Sequence, residues 1–156
     1  MAKVDLSVII VNWNTRELLK DCIDSIYQNT QGDFDIFVVD NNSSDGSCEM
    51  LKEEFSDKNN LNIIENKDNK GFAAANNQAI RLSNANAVLL LNPDTIVHKN
   101  VIFECYNQLM GDEKLGVVGC KVLNPDGTLQ LACRRMAPNP KDAFYKLLGI
   151  SKLKKK

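Results

Sequence analysis

Leu6-Ser7-Val8-Ile9-Ile10-Val11 is a nearly unbroken apolar run that stops abruptly at Asn12-Trp13-Asn14-Thr15. A strand with one wet face would alternate apolar and polar residues, so this run predicts a strand buried on both faces, as in a parallel sheet. Leu18, Leu19, Cys22, Ile23, Ile26 and Tyr27 then recur at helical spacing, with Asn14 or Thr15 available as the cap. The unit repeats. Residues 33–40 read as a second strand, and the cluster Asn41-Asn42-Ser43-Ser44-Asp45-Gly46-Ser47 precedes a short helix carrying Met50, Leu51 and Phe55. Residues 61–65 form a third strand, Asn69-Lys70-Gly71 opens a helix with Phe72, Ala75, Ala79 and Leu82 on one face, and residues 87–91 form a fourth strand. Strands separated by helices make βαβ units, whose right-handed crossovers stack them into a mostly parallel sheet with helices on both faces. The expected class is α/β.

The pattern loosens beyond the fourth strand. Residues 100–110 read as a helix, 115–123 as another strand, and Asn124-Pro125-Asp126-Gly127 as a hairpin turn leading into 128–134. Past Pro138 and Pro140, residues 142–150 predict an amphipathic helix with Phe144, Leu147 and Leu148 on its apolar side. A chain of 156 residues that is 44% hydrophobic and 25% charged suits one soluble domain. The formal charge of -1 gives no drive toward nucleic acid, although Lys152-Leu153-Lys154-Lys155-Lys156 is locally basic and could touch a membrane surface. Five widely spaced cysteines fit neither a disulfide framework nor a zinc site. With no signal-like start and no membrane-spanning apolar run, the expected setting is cytoplasmic.

The polar residues gather at one edge of this scheme. Asn12 and Asn14 follow the first strand, Asp40 and Asn42 the second, Asn69 and Gly71 lie at a helix start, and Asn92 and Asp94 follow the fourth. All lie in strand-to-helix loops, the side on which open parallel sheets bind ligands. In Leu89-Leu90-Leu91-Asn92-Pro93-Asp94-Thr95 a buried strand runs into a rigid turn that ends in a carboxylate. Asp94 is thus a candidate ligand for Mg²⁺ or Mn²⁺, hard cations that keep open positions for phosphate oxygens. Asp40 could accept the imide N–H of uracil or thymine, or could instead hold an Asx turn over Asn42 and Ser43.

Ser7-Val8-Ile9-Ile10-Val11-Asn12-Trp13-Asn14, Val38-Val39-Asp40-Asn41-Asn42-Ser43-Ser44-Asp45-Gly46-Ser47, Asn69-Lys70-Gly71-Phe72-Ala73 and Leu91-Asn92-Pro93-Asp94 resemble, in order, the motifs of family 2 glycosyltransferases. The resemblance spans about residues 5–135 and is strongest to the rhamnosyltransferase-like branch, in which Asn-Pro-Asp replaces Asp-x-Asp; Gly119 to Gly127 and Arg134-Arg135 match that branch too. It implies a GT-A, Rossmann-like fold and inverting transfer of a sugar from a UDP- or dTDP-sugar, rhamnose included, to a saccharide or lipid-linked acceptor in cell-surface polysaccharide synthesis. By the same resemblance Asn12 would line the nucleoside pocket, Asp40 would read the pyrimidine, and the loop of Asn69 to Gly71 would flank the donor. Asn92 would meet ribose or metal, and Asp94 would hold the divalent ion. Residues 4–97 would then be the nucleotide-binding core, 98–150 the start of the acceptor side and 151–156 a basic tail that is either simply solvated or touches the inner face of the membrane.

The general base that such a transferase needs for its acceptor hydroxyl is not among the matching residues. Asp142 lies in a dissimilar context, and His98 reads as an exposed helix-start residue. The expectation is therefore a donor-binding part, truncated before the acceptor half is complete. A nicotinamide-dependent oxidoreductase is disfavoured because Asn12-Trp13-Asn14-Thr15 has no glycine. A nucleotidyltransferase is disfavoured by the lack of Gly and basic residues near the first strand. A non-catalytic nucleotide-sugar-binding or assembly module remains the rival.

Overall fold

The computed structural model describes residues 3–133. The expected helix over 142–150, Arg134-Arg135 and the Lys-rich end lie outside the described residues. The chain divides into two compact units, residues 1–119 and residues 120–156.

In the first unit β1 (Leu6–Asn12), α1 (Arg16–Asn29), β2 (Phe34–Asp40), α2 (Ser47–Glu54), β3 (Leu61–Glu65), α3 (Phe72–Leu82), β4 (Ala87–Leu91) and α4 (Val101–Gly111) follow in order. The four strands form one parallel sheet in the order β3-β2-β1-β4. The chain steps outward from β1 to β3, then returns through α3 to pair β4 with the other side of β1. Because right-handed crossovers put helices on opposite faces for opposite directions of travel, α3 covers the face away from α1 and α2. The reversal between β1 and β4 is a topological switch point, where the strand ends diverge and leave a crevice.

Burial follows the alternation of each strand. Val8, Ile10, Ile36 and Val38 pack with Leu19, Ile23, Ile26, Met50, Leu51, Ile102 and Phe103 of α1, α2 and α4. Ile9, Phe37 and Val39 face Ala75 and Ala79 of α3. The long apolar run of β1 is thus explained, since both of its faces are covered. Each large side chain buried this way contributes about 1.5–3 kcal/mol, and Phe37→Ala would cost about 3–5 kcal/mol at this junction.

Three details differ from expectation. On α3 the sheet-facing residues are Ala75, Asn76 and Ala79, whereas Phe72 and Leu82 are 58% and 56% exposed. The helix meets the sheet through small side chains, and the bulky residues of its first and last turns stay on the flanks. On β4 the residues on the α3 side, Val88 and Leu90, are also exposed, so among the described residues coverage of that strand is one-sided. The strand expected over 115–123 is absent: Val117 is 87% exposed, and only Leu123 bridges Leu129 across the Asn124-Pro125-Asp126-Gly127 turn. That turn does close, with the Gly127 N–H donating to the Asn124 carbonyl and Gly127 at φ 82°. An apolar run without a neighbouring strand has nothing to pair with, and this segment forms no ladder. A single 3-10 turn, Leu131–Cys133, ends the described part of the second unit.

Candidate functional site

Asn12 and Asp40 are cross-strand partners at the carboxyl ends of β1 and β2. Both are buried, at 0% and 2% exposure. Buried polar groups must find partners, and these two find each other: the Asn12 amide donates to Asp40 Oδ1 at 2.7 Å. Asp40 also accepts from the Ser43 hydroxyl at 2.6 Å and the Ser43 backbone N–H at 2.8 Å. The Cys48 thiol lies against the same carboxylate. Burial first, and then the Asp40 charge, push that thiol up from 9.0 to about 12. Of the expected turn over Asn42 and Ser43, the structure shows the bonds to Ser43 and none to Asn42, and a base imide N–H would have to compete with donors already in place.

The loops after β1 and β2 are tied reciprocally. The Ser43 hydroxyl accepts from the Asn14 N–H at 2.9 Å, while Asn14 Oδ1 accepts from the Ser44 N–H at 2.8 Å. Thr15 donates to Asn12 Oδ1 at 2.6 Å. Asn14 and Asn42 both adopt left-handed backbone, at φ 54° and 64°. Asn tolerates that region better than most residues, and such conformations recur at binding sites. Thr15 stands at the N-cap position of α1 but makes no side-chain cap bond. The carboxylate of Asp45 supplies the cap from across the rim, accepting from the Arg16 N–H at 2.9 Å, and accepts from Ser47 at the start of α2 as well. One side chain thus fixes two helix starts. Partial burial opposes ionisation of Asp45, but the Ser47 hydroxyl and the backbone N–H groups outweigh it and hold the carboxyl below its ordinary value. A surface cleft of about 390 Å³ opens here between Asn14, Thr15, Arg16, Glu17, Leu18 and Asp45, and Trp13 beside it is 57% exposed.

The other expected residues occupy the same strand-end rim without bonding to that network. Asn69 makes a local turn, accepting from the Gly71 N–H at 2.9 Å. Gly71 has φ 77° and ψ 165°, a conformation reserved for glycine, and a Cβ there would meet nothing within 4 Å. Its requirement is conformational. Asn92 and Asp94 lie exposed in the loop after β4, and no described residue hydrogen-bonds or ion-pairs with the Asp94 carboxylate. Among the described residues no group of three or more His, Cys, Asp and Glu side chains gathers to hold a metal. A single outward-facing carboxylate still suits Mg²⁺ or Mn²⁺ at a diphosphate, since such ions keep most of their positions for phosphate and water. His98 is exposed, as expected. The sequence named Ser43 only as a turn partner of Asp40 and gave no role to Asp45, because their Ser-Ser-Asp-Gly-Ser context signals turns without revealing partners across the rim.

The family model described as "Glycosyl transferase family 2" matches residues 7–152, and the chain belongs to this family. A hexosyltransferase of low-salt glycan biosynthesis from Haloferax volcanii is 29% identical over 150 residues, covering 94% of this chain and 44% of the relative. The poly(ribitol-phosphate) beta-glucosyltransferase of Bacillus spizizenii is 28% identical over 105 residues, or 65% of this chain and 17% of its own. Among solved structures, the Pyrobaculum calidifontis mannosyltransferase in complex with GDP-Man and Mn²⁺ superposes with TM-score 0.70 at 22% identity, covering 81% of this chain and 37% of that one. S. aureus TarS in complex with UDP-GlcNAc gives 0.62 at 21%, covering 69% and 31%. The fold is that of the GT-A glycosyltransferases, and the relatives act in glycan or polysaccharide synthesis. The chain spans less than half the length of these relatives. No helix among the described residues is long and apolar enough to cross a membrane.

Proposed function

We propose that this chain binds a UDP- or dTDP-sugar, rhamnose among the candidate sugars, for inverting transfer to a saccharide or lipid-linked acceptor in cell-surface polysaccharide synthesis. The observation that carries the reading is the juxtaposition at the carboxyl ends of β1, β2 and β4. A locked amide–carboxylate–hydroxyl network lies on one side of the switch point, and an unengaged carboxylate, Asp94, lies on the other. Asn12, Asp40 and Ser43 form the floor of the nucleoside pocket, and Asn14 and Asn42 form its rim. Asp40 accepts a uracil or thymine imide N–H when the Ser43 hydroxyl turns off Oδ1. Asn69 and Gly71 border the donor, and Asn92 meets ribose or the ion. Asp94 would hold Mg²⁺ or Mn²⁺, which when bound neutralises charge on the leaving diphosphate. The protein's own share is to orient the donor against this carboxylate.

A second reading, a nucleotide-sugar-binding or assembly module without turnover, is favoured by one observation. The rim carboxylates are already engaged: Asp40 in its network, Asp45 as a cap, Glu65 with Lys52 and Asp68 with Lys70, leaving Asp94. An acceptor hydroxyl needs a further base. The proposed setting is cytoplasmic, at the inner face of the membrane. Calorimetric titration with UDP, dTDP, CDP and GDP, each with Mn²⁺ and with chelator, tests the donor reading. Uridine or thymidine diphosphate should bind best and only weakly without the ion; no binding by any of the four would refute it.

A further inference from the structure

The loop that carries Asp94 is fastened from beneath by two polar side chains of α1 that have no part in donor contact. Cys22 and Ser25 are buried, at 0% and 6% exposure, and face the loop from adjacent turns of one helix. The Ser25 hydroxyl donates to the Cys22 carbonyl at 2.7 Å and accepts from the Val97 N–H at 2.9 Å, both in the interior. The Cys22 thiol reaches the Asn92 carbonyl at 3.7 Å and also takes a backbone bond from Thr95. The backbone at residues 92, 95 and 97 is therefore tied to α1, while the Asp94 side chain between them stays exposed.

Core positions on an amphipathic helix are usually apolar, and a buried hydroxyl is stable only if its bonds are made. Here the partners are the backbone groups of an irregular loop, which has no ladder to satisfy them. We propose that Cys22 and Ser25 are positioning residues that hold the residue 92–97 loop so that Asp94 presents its carboxylate to a divalent ion and diphosphate. The inference rests on the proposed role of Asp94. Side chains that orient a metal ligand typically affect metal affinity 10- to 100-fold.

The test is UDP binding by calorimetry in Mn²⁺ and in chelator for the wild type, Asp94→Ala, Ser25→Ala, Cys22→Ala and Cys22→Ser, with thermal unfolding of each. Ser25→Ala and Cys22→Ala should weaken the Mn²⁺-dependent part of UDP affinity about 10- to 100-fold and leave affinity in chelator unchanged. Cys22→Ser, which keeps a donor and acceptor, should recover part of the loss. If Asp94→Ala removes the Mn²⁺ dependence while the Ser25 and Cys22 variants keep it, the positioning role is overturned and the reading of Asp94 stands. If Asp94→Ala leaves the dependence intact, both fall. Should Cys22→Ala fail to fold, Ser25→Ala and Cys22→Ser decide the matter by the same readout.

Discussion

Replacing Asp40 with asparagine changes a single atom at the junction of β1, β2 and their loops, and the structure states what that atom does. Asp40 Oδ1 takes hydrogens from Asn12 and the Ser43 hydroxyl, and Oδ2 takes one from the Ser43 backbone. In Asp40→Asn one oxygen becomes an amide N–H₂ whichever way the group is turned. In one orientation it opposes the Ser43 N–H, and in the other it opposes the Asn12 amide. At least one hydrogen now held by the carboxylate, in a site that is 2% exposed at Asp40, loses that acceptor, although the Asn12 amide keeps its 3.1 Å bond to the Ser43 hydroxyl. Such a loss costs about 1–3 kcal/mol. For a chain of this size each kcal/mol shifts the thermal midpoint by about 2–4 °C, so the midpoint should fall by about 2–12 °C. Circular dichroism through the unfolding transition measures it. Asn12→Ala removes the same contact from the other side, so the double variant should be less damaged than the sum of the singles, by about 0.5–3 kcal/mol. A midpoint within 1 °C of wild type, or full additivity of the pair, would refute the claim that this carboxylate locks the two loops.

Other outcomes follow from the same geometry. Asp40→Ala should reduce the preference for uridine over cytidine diphosphate by about ten- to a hundredfold, because cytosine N3 carries no proton to donate; titration of both nucleotides checks it, and an unchanged preference in a folded variant would leave Asp40 as a turn organiser only. Burial raises Cys22 and Cys48 from 9.0 to about 12, so the folded state holds these protons more tightly than the unfolded state. Their contribution to stability is then full below about pH 9 and lost as pH rises toward 12. Thermal midpoints across that range should show the loss, and Cys48→Ser should flatten it. The 156-residue chain alone should bind donor yet transfer sugar well below an enzymatic rate, since general-base assistance is worth about 10²–10⁴-fold; robust turnover would reveal a base among its own residues.

The fold was legible where sequence pattern and physical requirement coincide. Residues 61–65 and 87–91 are strands with the expected bounds, because short apolar runs between turn clusters have few other uses. The rim was legible for a topological reason: once the strands are parallel, every strand-to-helix loop lies at one edge, so Asn12, Asp40, Asn69 and Asp94 share it whatever their contacts. Contacts across the rim were not legible. Nothing in the spacing of Asp45 and Arg16 tells that one caps the helix of the other, and Cys22 and Ser25 read simply as part of an amphipathic helix. Residues 115–123 misled because an apolar run predicts a strand only if a neighbouring strand exists to pair with it. The face of α3 was misjudged at its ends, where periodicity continues beyond the part of the helix that meets the sheet.

On the proposed reading, the turn after β4 delivers a carboxylate to the diphosphate end of a nucleotide whose base lies over Asn12 and Asp40. Calorimetric titration of UDP into the wild type and Asp94→Ala, each in Mn²⁺ and in chelator, addresses it directly. The wild type should bind more tightly in Mn²⁺, Asp94→Ala should gain nothing from Mn²⁺, and the two proteins should have equal affinities in chelator and equal thermal midpoints. Equal UDP affinity of the wild type in Mn²⁺ and in chelator, or a Mn²⁺ gain that survives loss of the Asp94 carboxylate, would contradict it.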